Sequence, residues 1–232
     1  MKIITLISAF LSFLTNQNTY VTNDISINLK ENNLYKDENY IYKGKNPNNY
    51  IIFNNEIYRI ISFEKDGKIK IIKNDSIGNF PFDIENSNNW EKSSLNNYLN
   101  NIYYYKINQK SRNLIQKHKW EETNNLYYIG LISISDYIKS NNNSLCQTIY
   151  SNWENFNKCK EDNYLNSLNF NNKNNYAWTI SKDVNNIYHF GNMYFGDSMP
   201  SYNDFAVFPV LYLKGNISLK GKGTIETPYQ II

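Results

Sequence analysis

Cysteine is nearly missing from this 232-residue chain, which holds only Cys146 and Cys159. Two thiols cannot supply the four ligands of a structural zinc site. Histidine is as scarce, with His118 and His189 alone, so no H-E-x-x-H metal motif can form. The nine glycines make neither a phosphate loop nor a dinucleotide fingerprint, and no G-x-S-x-G nucleophile elbow is present. Charge of one sign is lacking too. With 24 basic against 21 acidic residues the net is +3, and no Lys/Arg block marks a phosphate-tracking surface, so nucleic acid is not an expected partner. Long hydrophobic runs are absent after the first residues.

The exception is Ile3–Leu14, apolar except for Thr5, Ser8 and Ser12 and preceded by Lys2. It is too short to span a bilayer as a helix and suits the hydrophobic region of a signal peptide. No cysteine follows to take a lipid, and no other segment approaches transmembrane length. The expected organisation is a leader over 1–19, a polar linker over 20–39 with a loosely added edge strand at Val21–Leu29 as the alternative, and one domain over 40–232. A secreted or cell-surface location follows. In that oxidising setting a Cys146–Cys159 disulfide is the default, and a reactive thiol paired with a histidine is the alternative.

What the chain has in excess is asparagine, with 21 Tyr and 12 Phe beside it. An AT-rich genome produces this bias. So does a recognition surface, because tyrosine offers rigid contact area and asparagine adaptable hydrogen bonds. The strongest pattern is Asn48–Lys73, NNYIIFNNEIYRIISFEKDGKIKIIK. Asn54-Asn55 and Asp66-Gly67 separate β-branched runs and accept the positive φ of tight turns, which predicts a three-stranded antiparallel meander. Its middle strand is apolar on both faces. Its last strand alternates Ile with Lys, so one face is expected to meet water.

Further along, Leu95, Tyr98, Leu99 and Ile102 make one apolar stripe of a helix over Ser93–Tyr104 with Ser93 as N-cap. A second short helix is expected at Ser111–Gln116, and His118 at a surface helix end. Leu126–Ile132 suits a buried strand. Ser133 and Asp136 stand at capping-box spacing before a helix to Lys139. Asn141–Lys173 is a long polar region anchored by the two cysteines, and such segments are usually functional or tied down. Tyr176–Ile180, Ile187–Phe190 and Ala206–Leu213 read as strands, with Pro209 limiting the last. The fold class is α+β: mixed, mostly antiparallel sheets with two or three short helices and long loops.

Six ordered landmarks resemble a bacterial extracellular domain family of unknown function, of the Firmicutes and mollicute type. They are the meander, WEKSSLNNYL at Trp90–Leu99, IGLISISDY at Ile129–Tyr137, AWTIS at Ala177–Ser181, AVFPVLYLK at Ala206–Lys214 and GTIETPYQI at Gly223–Ile231. Two positions depart from its pattern: Tyr58 stands for a commoner Trp, and Phe208 for the arginine of "VRP". The resemblance implies a C-type-lectin-like arrangement, the superfold shared with formylglycine-generating enzymes. The thiol chemistry of those enzymes does not carry over, because no cysteine follows Cys159.

No catalytic constellation emerges, so an enzyme is not expected. Asp183, Asp197 and Asp204 would need to converge to do glycosidase chemistry. The best contact surface is the loop Phe190–Phe205 with its neighbour His189. There His189, Asn192, Tyr194, Asp197, Tyr202 and Asp204 combine aromatic faces with acceptors for hydroxyls. The types of Asn192, Asp197, Asn203 and Asp204 would suit calcium, but no E-P-N or W-N-D signature supports it, so no cofactor is expected. The reading is a secreted or surface binding or adhesion module for a glycan or a host or cell-surface protein. A structural or pilus-associated subunit is the alternative and an unrecognised hydrolase the third.

Overall fold

The computed structural model describes residues 20–21, 34–36, 38–121, 123–148, 155–171, 175–191 and 198–232. Its strands begin with β1 (Tyr20–Val21), β2 (Leu34–Lys36), β3 (Tyr40–Tyr42), β4 (Tyr50–Phe53), β5 (Glu56–Phe63), β6 (Ile69–Lys73) and β7 (Asn79–Pro81). Short helices follow: α1 (Ser94–Tyr98), a π turn at Leu99–Tyr103, α2 (Tyr104–Lys106) and α3 (Gln109–Arg112). Then come β8 (Ile115–Gln116), β9 (His118–Lys119), β10 (Leu126–Tyr127), β11 (Ile129–Gly130), α4 (Ile134–Lys139) and α5 (Phe156–Glu161). The chain closes with β12 (Tyr176–Lys182), β13 (Ile187–Gly191), β14 (Ser198–Met199), β15 (Asp204–Ala206), β16 (Val210–Leu213), β17 (Leu219–Lys220) and β18 (Tyr229–Ile231). It is an α+β fold of mixed, mostly antiparallel sheets.

The meander forms as its turn residues dictate. Asn54 and Asn55 take φ of 56° and 61°, the left-handed pair of a type I′ hairpin, and Gly67 takes 81°. β5 is long enough to hold two partners on one edge: β4 against Glu56–Arg59 and β3 against Ser62–Phe63. β6 lies along its other edge, with an irregularity between Ile60 and Ser62. The large sheet continues from β6 to β16, which carries β8 and β11 side by side on its far edge. At the other end β18 runs parallel to β4 and leads through β17 to β1. The 20–39 segment, expected to be linker, therefore contributes two paired strands, β1 and β2, with Leu34 of β2 buried.

The lysine face of β6 does not meet water: all five of its residues are buried. Lys70 donates to Asp136 at 2.6 Å and Lys73 to Glu56 at 2.6 Å, so each cation brought under cover has a carboxylate. The apolar run Ala206–Leu213 is not one strand either. β15 belongs to the smaller sheet, ordered β14-β13-β12-β15-β7, and β16 to the large one. The chain crosses between them at Val207–Pro209. Pro209, which has no N–H, offers only its carbonyl, taken by the Lys73 N–H at 3.0 Å.

Trp178 ties the smaller sheet together. It is buried, donates from Nε1 to the Phe80 carbonyl at 2.9 Å, and meets the edge of Phe82. Phe208 lies in the same core between Phe170 and Phe190.

The helices keep their caps and shift their faces. Ser93 caps α1 through the Asn96 N–H, and Ser133 and Asp136 form the full capping box of α4. After Tyr98, however, the π turn inserts an extra residue, so the stripe rotates. Tyr103 turns inward at 9% exposure and Ile102, expected inside, is 49% exposed. The next helix starts earlier than Ser111: Asn108 accepts the Ser111 N–H and caps α3, and Ile115–Gln116 pairs with β16 instead. His118, expected at a helix end, lies on β9.

The polar region is closed by the Cys146–Cys159 disulfide, whose Cα atoms are 5.6 Å apart and whose cysteines are both buried. Replacing both cysteines by serine is expected to lower the unfolding free energy by about 3 kcal/mol, the loop-closure entropy for a short ring. Urea unfolding of the oxidised protein and of the double variant measures this. An unchanged midpoint would mean that the ring is held by its packing alone.

Candidate functional site

The residues singled out in the sequence fall partly outside the described residues, and those described lie apart along the smaller sheet. Asn192, Tyr194 and Asp197 lie outside the described residues. His189 is 1% exposed on β13, its ring centre 5.0 Å from Tyr176 and 5.2 Å from Phe205. Tyr202 is 58% exposed on the turn before β15. Asp204 is exposed too and opens β15 opposite Pro81. Asp183 accepts two N–H bonds of its own turn, from Asn185 and Asn186. Because β15 lies beside the start of β12 and Asp183 follows its end, Asp183 and Asp204 stand at opposite ends of that strand. They cannot act as a carboxylate pair. Among the described residues no three His, Cys, Asp or Glu side chains are placed to hold a metal ion.

The described surface does contain an open cleft of about 580 Å³ elsewhere. Three segments build it: the β4–β5 hairpin turn with the start of β5 and the end of β6, the π turn with α2, and the link Asp75–Ile77 into β7. Its lining mixes chemistry, with Glu56 and Asp75 as carboxylates, Lys73 and Lys106 as ammoniums, and Tyr98 and Tyr103 as aromatics. Each is held from behind. Lys73 pairs with Glu56 at 2.6 Å, Asp75 accepts from Asn169 at 2.6 Å, and Tyr98 stacks on Phe80 with centroids 5.0 Å apart. Lys106 lies over Tyr98, 5.5 Å from its centroid. Asn54 accepts both the backbone and side-chain N–H of Asn108, closing one end.

The π turn is what puts Tyr103 here. Under ordinary helical spacing Ile102 would occupy that face, and π turns are rare features frequently found at functional sites. Beneath Tyr103 lies Tyr58, fully buried, with the Tyr103 phenol as its polar neighbour. Burial raises the Tyr58 phenol well above its usual pKa, and the neighbouring Tyr103 phenol and Glu56 carboxylate raise it further. Burial likewise pushes Tyr103 up to about 12. Both phenols therefore stay protonated at neutral pH and can donate or accept hydrogen bonds without carrying charge.

His118, the other imidazole, stacks on Tyr212 with centroids 3.8 Å apart. Desolvation, together with Lys68 and Lys70, pushes it down to about 4, so it is neutral at physiological pH. It lies outside the cleft lining. The cleft itself was not legible from spacing: the Ile/Lys strand that carries Lys73 was expected to put one face in water, and Tyr98 and Tyr103 share the lining only because the π turn shifts the helical period between them. The hairpin turn Asn54-Asn55 was the one component visible beforehand. No family model, curated protein or solved structure matches this chain.

Proposed function

We propose that the chain is a secreted or cell-surface binding module of C-type-lectin-like arrangement that seats a glycan or protein segment in this cleft, without catalysis. The observation that carries the reading is the cleft's size and lining. At about 580 Å³ it falls in the range of ligand sites, and it pairs aromatic walls with charged and amide groups fixed by second partners. The buried disulfide and the apolar leader support export.

A glycan and surface-protein array, run with and without EDTA, tests the proposal. Tyr98→Ala and Asp75→Asn are expected to weaken binding at least about tenfold, the loss typical of a contact near the centre of a site. Tyr202→Ala is expected to leave it unchanged. Loss with Tyr202→Ala alone would move the site to the loop before β15, and no binding to any arrayed ligand would sink the module reading. One observation favours a second reading, hydrolysis: Glu56 and Asp75 line the same cleft. Turnover of a bound glycan that disappears in Glu56→Gln would establish it.

A further inference from the structure

The chain's near-neutral charge hides a segregation. Between Lys92 and Trp120 lie six basic residues, Lys92, Lys106, Lys110, Arg112, Lys117 and Lys119, and no acidic one. Folding brings part of this segment against tyrosines in a continuous ladder. The Lys117 ammonium is 4.9 Å from the centre of the Tyr128 ring, and Tyr128 stacks on Tyr104 at 4.2 Å with 10° between planes. The Arg112 guanidinium lies 5.7 Å from the Tyr104 centroid and 5.2 Å from that of Tyr105, which is 66% exposed.

Two features separate this ladder from an ordinary solvated face. The ion pairs among the described residues are Lys68–Asp66, Lys70–Asp136 and Lys73–Glu56, so none of the six cations is neutralised by a carboxylate. And Arg112 and Lys117 are held in place by rings instead of moving freely, which concentrates positive potential over one surface. The faces of Tyr104 and Tyr128 are taken by each other and by Arg112 and Lys117, so stacked nucleic-acid bases find no free platform there. Arg112 donates to the Gln109 side-chain oxygen and the Tyr105 carbonyl, and its remaining N–H donors, with the Lys117 ammonium, match repeated carboxylate or sulfate groups along a chain.

We infer that the ladder from Tyr104 to Tyr128 is a docking face for an acidic polysaccharide, sulfated or uronic, distinct from the cleft and independent of what the cleft binds.

The full chain, passed over immobilised heparin, polygalacturonate and neutral dextran, tests this. Retention on one or both acidic polymers, falling steeply with salt, and none on dextran is the expected result. Heparin without polygalacturonate assigns sulfate as the preferred group, and the reverse assigns uronate. Arg112→Gln with Lys117→Gln should weaken binding about tenfold and lower the salt slope by about two charges. Lys220→Gln with Lys222→Gln, exposed cations outside the ladder, should change neither. The charge-keeping pair Arg112→Lys with Lys117→Arg should restore binding, which a variant that merely misfolds would not do. Equal retention of the Gln double variant and the wild type, equal retention on dextran, or tighter binding of single-stranded DNA than of either acidic polymer would overturn the proposal.

Discussion

Replacing Lys70 by methionine is expected to lower the unfolding free energy by about 3–5 kcal/mol, far more than loss of a surface ion pair. Lys70 is buried and Asp136 partly buried, their atoms 2.6 Å apart, and Tyr212 and Trp120 flank the ammonium at 5.3 and 5.8 Å. Removing the ammonium leaves the Asp136 carboxylate under cover with only the Ser133 N–H and hydroxyl as donors. The double variant Lys70→Met, Asp136→Asn should regain most of the loss, because an amide oxygen still accepts from Ser133 but no charge stays buried. Equilibrium urea unfolding of the three proteins decides it. A single variant within about 1 kcal/mol of wild type would show the pair to be solvated after all.

The same pair sets a pH window. For Lys70, burial disfavours the charged form, but the Asp136 carboxylate and the Tyr212 phenol outweigh it and the folded pKa lies above the free value. That stabilisation is fully present below the unfolded lysine value, about 10.4, and is lost as pH rises past it toward the folded one. For Asp136, burial again works against the charge, and Lys70 and the Ser133 donors outweigh it, so the carboxyl is held below its usual range. Its contribution is present above about pH 4 and is lost as pH falls through the folded value.

How much of this was readable in the linear sequence depends on the distance over which each choice is made. The hairpin turns at Asn54-Asn55 and Asp66-Gly67, and the Ser133–Asp136 capping box, are settled by neighbours within four residues, and each formed as its chemistry requires. The burial of β6 was not readable. An Ile/Lys alternation describes a half-solvated strand until carboxylates 66 and 17 residues away arrive to cover it. The rotated stripe of α1 failed for another reason: a 3.6-residue period presumes α-helical bonding, and the π turn changes the period at Leu99. The split of Ala206–Leu213 between two sheets was announced only by Pro209, and an apolar run cannot say which sheet it serves. The cleft draws on two of these surprises, since β6 and the π turn meet there with the link before β7. Apart from the Asn54-Asn55 turn, its parts could not be placed together from the sequence.

Gly191 is where the second large effect is expected, and it bears on the loop that the sequence favoured as a contact surface. It ends β13 at φ 132°, a conformation that side chains with a Cβ rarely adopt, and a Cβ built there would overlap the Asn175 carbonyl oxygen. The clash is with backbone, at the register where Gly191 faces Tyr176 across the sheet, so no rotamer change relieves it. Gly191→Ala should therefore cost about 3 kcal/mol or more, combining backbone strain with displacement of the β12–β13 pair. Gly44→Ala is the matched comparison. Gly44 also has a positive φ, 88°, but its nearest added contacts are at 3.7 Å, so only the conformational penalty of about 1 kcal/mol applies. Thermal unfolding of the two variants under one condition gives the difference directly. Equal losses would mean that the β12 strand yields at Asn175 without disturbing the Trp178 core behind it. If Gly191→Ala instead melts early while still binding through the cleft at low temperature, the smaller sheet is a support that the cleft does not need. Loss of cleft binding in a variant still folded at that temperature would make the two sheets one functional unit, joined through β7 and the Phe80–Tyr98 stack.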